Sequence, residues 1–189
     1  MNKIILILLL NAFIFNKAQQ VLPLSTIIND LIAPNTYIKD TDNQLSVFEG
    51  KWKGTWNNKT LIVNLKKIKY YDTFSKNNPL HQDVLIGRFQ VKDVNGKILF
   101  DDLNAKENTE KIMGQSFSSN GAYQLLYVDP DLCNKMGYIY LMFTNPSKTE
   151  VKLRYMDSKQ QVHSSCFYYG LPEDQKPEPF PKEIILTKQ

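Results

Sequence analysis

Apolar and polar residues alternate with a period of two along most of this chain, the spacing of half-buried β-strands rather than of helices. The first such run covers residues 47–71. Its centre, Asn57-Asn58-Lys59, tolerates the positive φ of a tight hairpin turn. Trp52, Gly54 and Trp56 then share one side of the first strand, and closure at Asn57-Asn58 or at Asn58-Lys59 sets that side against Leu61, Val63 and Leu65. Past Leu65 the phase changes, because Ile68 and Tyr70 become the apolar pair with Lys67 and Lys69 around them. A β-bulge near Lys66-Lys67 is expected, since one extra residue moves the apolar set to the other parity.

A second hairpin is predicted from residues 84–94 and 97–103 about Asn95-Gly96, the strongest short hairpin signal. A two-residue turn pairs Val91 with Phe100 and Asp93 with Ile98, so that Phe89, Val91, Ile98 and Phe100 share a face. Further strands are expected at 112–118, 123–128, 137–144, 149–156 and 162–169. A four-residue turn, Asn145-Pro146-Ser147-Lys148, puts Tyr138, Tyr140 and Met142 on the face of Tyr155, Leu153 and Val151. Ile139, Leu141 and Phe143 then look outward, opposite Glu150, Lys152 and Arg154. Residues 171–182 hold Pro172, Pro177, Pro179 and Pro181, and without ladder donors they form an extended connector outside the sheet. Residues 183–188 close the chain as a strand with Ile184 and Leu186 inward. Roughly eight to ten short strands with almost no helix define an all-β domain: a single antiparallel barrel, or alternatively a β-sandwich.

The N-terminus departs from this pattern. Lys3 precedes an unbroken aliphatic run from Ile4 to Leu10, followed by Phe13-Ile14-Phe15 and then polar Lys17-Ala18-Gln19-Gln20. The run is too short for a membrane-spanning helix of about 20 apolar residues. Residues 1–18 therefore read as a secretory signal peptide cut after Ala18, which predicts export to the periplasm or the medium. No later stretch is apolar enough for a transmembrane segment. Residues 19–44, interrupted by Pro23, Pro34 and Asp40-Thr41-Asp42-Asn43, read as an irregular arm, with a helical turn at 25–31 capped by Ser25. The barrel domain follows at 45–189.

Loss of Lys3 and Lys17 lowers the net charge from +4 to +2, which provides no nucleic-acid footprint. Lys66, Lys67 and Lys69 are interleaved with Ile68 and Tyr70, as on the wet side of a strand. Aromatic residues make up 12% of the chain, with ten Tyr and ten Phe, a composition suited to sheets. Cys133 and Cys166 are the two cysteines. They form either a disulfide, closing a loop of roughly 30 residues worth about 3 kcal/mol, or a pair of buried thiols.

The block Tyr37-Ile38-Lys39-Asp40 followed by Gly50-Lys51-Trp52-Lys53-Gly54 resembles the start of a family of small exported flavobacterial proteins whose domain has no assigned function. That resemblance implies export and no particular activity. Gly50-Lys51-Trp52 on the first firm strand is also similar to the Gly-x-Trp of calycins, lipocalins among them. This second resemblance implies a barrel with Trp52 closing one end and a late basic residue packed over it, for which Arg154 is the candidate. The C-terminal helix of lipocalins is not expected, given Pro172 to Pro181.

No motif carries catalysis. His81 and His163 are the only histidines, and no zinc spacing, phosphate loop or dinucleotide signature occurs. On a regular strand His163 and Cys166 would face opposite ways, out of reach as base and nucleophile. Asp129-Pro130-Asp131 reads as a turn, and Asp101-Asp102 as a solvated strand end. The chain is accordingly read as a non-enzyme without cofactor or metal. Its leading function is binding of a small apolar or amphipathic ligand in a barrel cavity lined by Tyr138, Tyr140 and Tyr155. The alternative is a filled barrel that docks an envelope protein partner through the Ile139, Leu141 and Phe143 face. Gly50, Trp52 and Trp56 are assigned structural roles.

Overall fold

The computed structural model describes residues 19–26, 32–73, 79–106, 109–158 and 162–189. The predicted signal peptide and most of the predicted helical turn lie outside these residues. Among the described residues eleven strands run in one continuous sheet: β1 (Val21–Pro23), β2 (Tyr37–Lys39), β3 (Gly50–Trp56), β4 (Lys59–Asp72), β5 (Leu80–Lys92), β6 (Ile98–Asp101), β7 (Ile112–Phe117), β8 (Tyr123–Asp129), β9 (Lys135–Phe143), β10 (Glu150–Asp157) and β11 (Glu183–Lys188). Eight of them, β3, β4, β5 and β7 to β11, form a closed antiparallel barrel in simple up-and-down order. Closure is made where Ile86 and Gly87 of β5 meet Met113 and Ile112 of β7. It is completed where Thr187 and Lys188 of β11 meet Lys53 and Trp52 of β3. Among the described residues no helix is long and apolar enough to cross a membrane.

The first hairpin turns on Asn57 and Asn58, both at positive φ, and aligns Trp52 with Val63, Gly54 with Leu61 and Gly50 with Leu65. Trp52, Leu61, Val63 and Leu65 are buried. The predicted bulge is absent: β4 pairs with β5 in one unbroken register from Thr60 to Asp72. Lys67 continues the inward phase because the arm supplies a polar floor there. Its Nζ lies 3.2 Å from Asp40 Oδ2 and donates to Ser46 Oγ at 2.6 Å.

The arm contains two short strands rather than purely irregular chain. β1 pairs parallel with β2, and β2 pairs parallel with β5 beside His81 and Gln82. The Tyr37-x-Lys39-Asp40 block docks it. Tyr37 donates its hydroxyl to Asp83 Oδ1 at 2.6 Å, and the Asp40 amide donates to Asp83 Oδ2 at 2.9 Å. Asp40 in turn accepts from the amides of Gln44 and Leu45.

Two registers differ from expectation. At Asn95-Gly96 a bulge after Val91 pairs Lys92 with Ile98 while Val91 still meets Phe100. Asp93 explains the shift, since its carboxylate accepts from the amides of Asn95 and Lys97 and winds a wider loop. Ile98 therefore lies outside, 49% exposed, and not on the core face. Between β9 and β10 the loop takes in Thr149 as well, because Asn145 Oδ1 accepts from the amides of Thr149 and Glu150. Val151, Leu153 and Tyr155 consequently pair with Phe143, Leu141 and Ile139. A shift of one residue exchanges every side chain between faces. Ile139 and Leu141 are buried, whereas Tyr138, Tyr140 and Met142 project outward.

Residues 162–169 form successive turns instead of a strand, with Cys166 N–H donating to His163 O and Tyr169 N–H to Cys166 O. The cause is a disulfide. Cys133 and Cys166 are bonded, with Cα atoms 5.9 Å apart, and Cys133 sits at φ 56°, just after the short helical turn Pro130–Leu132. Tyr168 anchors the same segment by donating its hydroxyl to Leu132 O at 2.8 Å.

Candidate functional site at the barrel rim

The two ends of the barrel are closed by different means. At one end the turn Ser46–Phe48 folds under the strands and presents Phe48, whose ring stacks on Phe143 at 4.4 Å. Trp52 donates its indole N–H to Phe48 O at 2.7 Å, and Lys188 Nζ lies 5.4 Å from its ring centroid. The basic residue over the tryptophan is thus Lys188 and not Arg154, which faces outward beside Tyr140. Inward parity at β3 requires β11 to approach closely. A Cβ on Gly54 would lie 2.5 Å from Ile185 O, so only glycine permits that contact.

The opposite end is filled by rings. Phe89 from β5, Tyr127 from β8 and Tyr155 from β10 converge on Phe180, at centroid distances of 4.6, 5.0 and 5.5 Å. Phe180 belongs to no strand. It is carried inward from the Pro-rich connector and is 3% exposed. A Cβ on Gly137 of β9 would overlap the Tyr155 ring, so that glycine makes room for it. Outside this cluster lies a cleft of about 710 Å³, walled by Trp56, Tyr155 and Phe180 and rimmed by Arg154, Glu178 and Lys182. Lys135 also lines it, paired with Asp157 at 2.5 Å.

Beneath the rings is a buried polar group of residues. Asp129 accepts from the Tyr127 hydroxyl at 2.7 Å and from Lys111 Nζ at 2.7 Å. Burial raises the Tyr127 hydroxyl well above its ordinary range, and the adjacent Asp129 charge adds to that. Burial by itself would lower Lys111, but its bonds to Asp129 and Asp131 outweigh this and hold it above its usual value. Asp102 is buried, not solvated as a strand end. One of its oxygens accepts from Phe89 N–H, and the other has no hydrogen-bond partner among the described residues. Burial pushes its carboxyl up to about 6, against the lowering effects of the Phe89 amide, Lys111 and Arg88. Tyr155 Oη is a second buried polar atom without a hydrogen-bond partner among the described residues. Burial raises that hydroxyl also, with the Asp157 charge next.

Tyr138 and Tyr140 do not join Tyr155 around a lumen. They lie on the outer face of the barrel, Tyr138 at 37% exposure, because of the β9–β10 register. The face formed by Ile139, Leu141 and Phe143 is likewise inside. Trp52 is in the core, and Trp56 is partly buried at the rim, where it lines the cleft. Gly50 stands at φ +117°, beside the Lys188 side chain. Phe180 escaped the sequence reading, although its position between Pro179 and Pro181 marks an aromatic residue where the ladder cannot hold the chain. Lys111 and Asp102 offered no comparable signal, since each is placed by contacts distant in sequence.

No curated protein and no solved structure matches this chain. Over residues 1–189 the chain matches the model of a family of unknown function (DUF6705), and it belongs to that family.

Proposed function

We propose that this protein is an exported, non-catalytic binding protein that takes a small amphipathic ligand at the rim of its barrel. The observation that carries the reading is the cleft of about 710 Å³, which sets Trp56, Tyr155 and Phe180 against charged side chains. Ligand sites combine an apolar wall with a few placed polar groups, and barrel mouths are a frequent location. Arg154, Glu178 and Lys182 make no ion pair among the described residues and remain available to a polar head group. The lumen is a poorer location, because the rings of both end clusters occupy it. Native mass spectrometry of protein recovered from its own envelope fraction tests the reading. A bound small molecule that Trp56→Ala and Arg154→Ala release supports it. Repeated recovery of ligand-free protein, with no response of Trp56 fluorescence to amphipathic compounds, overturns it. The same spectra test export, since mature protein should begin near Gln19, and an intact Met1 would rule out processing.

A second reading is an envelope protein-interaction module. It rests on the outer face of β9 to β11, where Tyr138, Met142, Met156 and Ile185 are exposed around Arg154. Tyrosine, methionine and arginine are the residue types enriched in interface cores. A pull-down lost on Tyr138→Ala and Met142→Ala, yet kept on Trp56→Ala, would favour this reading over the first.

A further inference from the structure

The connector that carries Phe180 is held in an unusual way. Before it, Lys176 is tied to Glu173 through both backbone and side chain. After it, Lys182 O accepts from Tyr155 N–H at 3.0 Å, the start of the β10–β11 pairing. Between these two anchors, residues 177–181 make no hydrogen bond with another described residue. Three of the five are prolines without an N–H. What fixes this stretch is burial of Pro179 and of the Phe180 ring. A segment held by two buried side chains, and not by a ladder, opens locally at little cost compared with the strands around it.

The site that the ring occupies is walled by aromatic planes, and one of the rings in its wall carries an unused polar atom. Phe89 and Tyr127 pack on Phe180 in tilted and edge-on geometry, at 4.6 and 5.0 Å. Tyr155, also against Phe180, has a buried hydroxyl with no hydrogen-bond partner among the described residues. A phenylalanine can fill the volume but cannot answer that hydroxyl. Buried unpaired polar groups are rare in folded proteins and each calls for an explanation.

We infer that Phe180 is a displaceable cork, and that the ligand is a small aromatic ring with an oxygen substituent which takes its place. The ring lies between Phe89 and Tyr127, the oxygen accepts from the Tyr155 hydroxyl, and residues 177–181 swing outward between their two anchors. This inference rests on the rim-binding reading above and specifies how that site opens and what chemistry it takes. Apparent affinity in the native protein is then reduced by the fraction of molecules with the cork out.

The test uses the mature chain with p-cresol as probe and toluene as its hydroxyl-free counterpart, followed by NMR titration. Binding of p-cresol should move the ring signals of Phe180, and Phe180→Ala should tighten binding by at least about tenfold by removing the competing ring. Tyr155→Phe should erase most of the preference for p-cresol over toluene. Where Phe180→Ala does not fold, Phe180→Leu and intermolecular contacts of p-cresol with Phe89 and Tyr127 in the unmodified protein give the same decision. Failure of p-cresol to bind either form, or equal affinity in both, overturns the cork. Binding that shifts Trp56 and Arg154 while Phe180 stays in place also overturns it, yet leaves the rim reading standing.

Discussion

Lys188, on the last strand, places its ammonium 5.4 Å from the ring centroid of Trp52, on the first barrel strand, and donates to Val47 O at 3.2 Å. The contact joins the two ends of the barrel sequence at the seam where closure is made by only two residue pairs. An ammonium over an indole at an exposed position contributes about 0.5–1 kcal/mol. Lys188→Met, which keeps the aliphatic stem, should therefore lower stability by about 1 kcal/mol in urea titrations.

Trp52 itself is fully buried, with its N–H satisfied by Phe48. Trp52→Ala should cost about 3–5 kcal/mol. Trp56→Ala should cost less, because that ring is partly exposed at the rim. Urea midpoints of the two variants, with the disulfide intact, provide the comparison. A larger shift for Trp56 would contradict the assignment of the core end.

Asp102 should make stability depend on pH in a direction opposite to that of a salt-bridged carboxylate. Its folded pKa is raised from an ordinary 3.8 to about 6, chiefly by burial. Its favourable contribution is thus complete below about pH 4 and is lost as pH rises through about 6. A displacement of this size is worth up to about 3 kcal/mol. Unfolding measured at pH 4.5 and 7.5 should show the native protein losing stability relative to Asp102→Asn across that interval. An unchanged difference between the two proteins would show that Asp102 is ionised in both states.

Lys111 bridges buried Asp129 and exposed Asp131, at 2.7 and 2.6 Å. Removing the cation strands Asp129 as an uncompensated buried charge. Lys111→Met should cost about 3–5 kcal/mol, whereas Asp131→Asn, at the exposed partner, should cost less than about 1 kcal/mol. Chemical denaturation of both variants checks the asymmetry.

The Cys133–Cys166 disulfide pins the turns of residues 162–170 to the end of β8. Replacing both cysteines by serine should destabilise the protein by about 3 kcal/mol. Limited proteolysis should then cut within 162–170 before it cuts the barrel strands. Protection of that loop in the double variant would mean that the Tyr168 bond to Leu132 suffices to hold it.

Local pattern determined the all-β class, the first hairpin with its turn at Asn57-Asn58 or Asn58-Lys59, and the inward set Trp52, Leu61, Val63 and Leu65. In each case the decisive information lies within a few residues: strand parity, and a turn whose two asparagines accept positive φ. The inward pair Ile184 and Leu186 was legible for the same reason. Loop conformations were not. Asp93 and Asn145 each capture two backbone amides, change the loop by one residue, and so decide which side chains of a flanking strand are outside. That single step moved Tyr138 and Tyr140 out of the barrel and brought Leu141 in. The unbroken phase through Lys67 likewise depends on Asp40 and Ser46, distant residues that make a lysine acceptable on the inner parity. Only the closed barrel could bring Phe180, from a proline-rich stretch with no periodicity of its own, against Phe89, Tyr127 and Tyr155. Alternation along a strand tells which residues share a face, but the register across strands and the packing of chain outside the sheet depend on contacts that exist only after the barrel has closed.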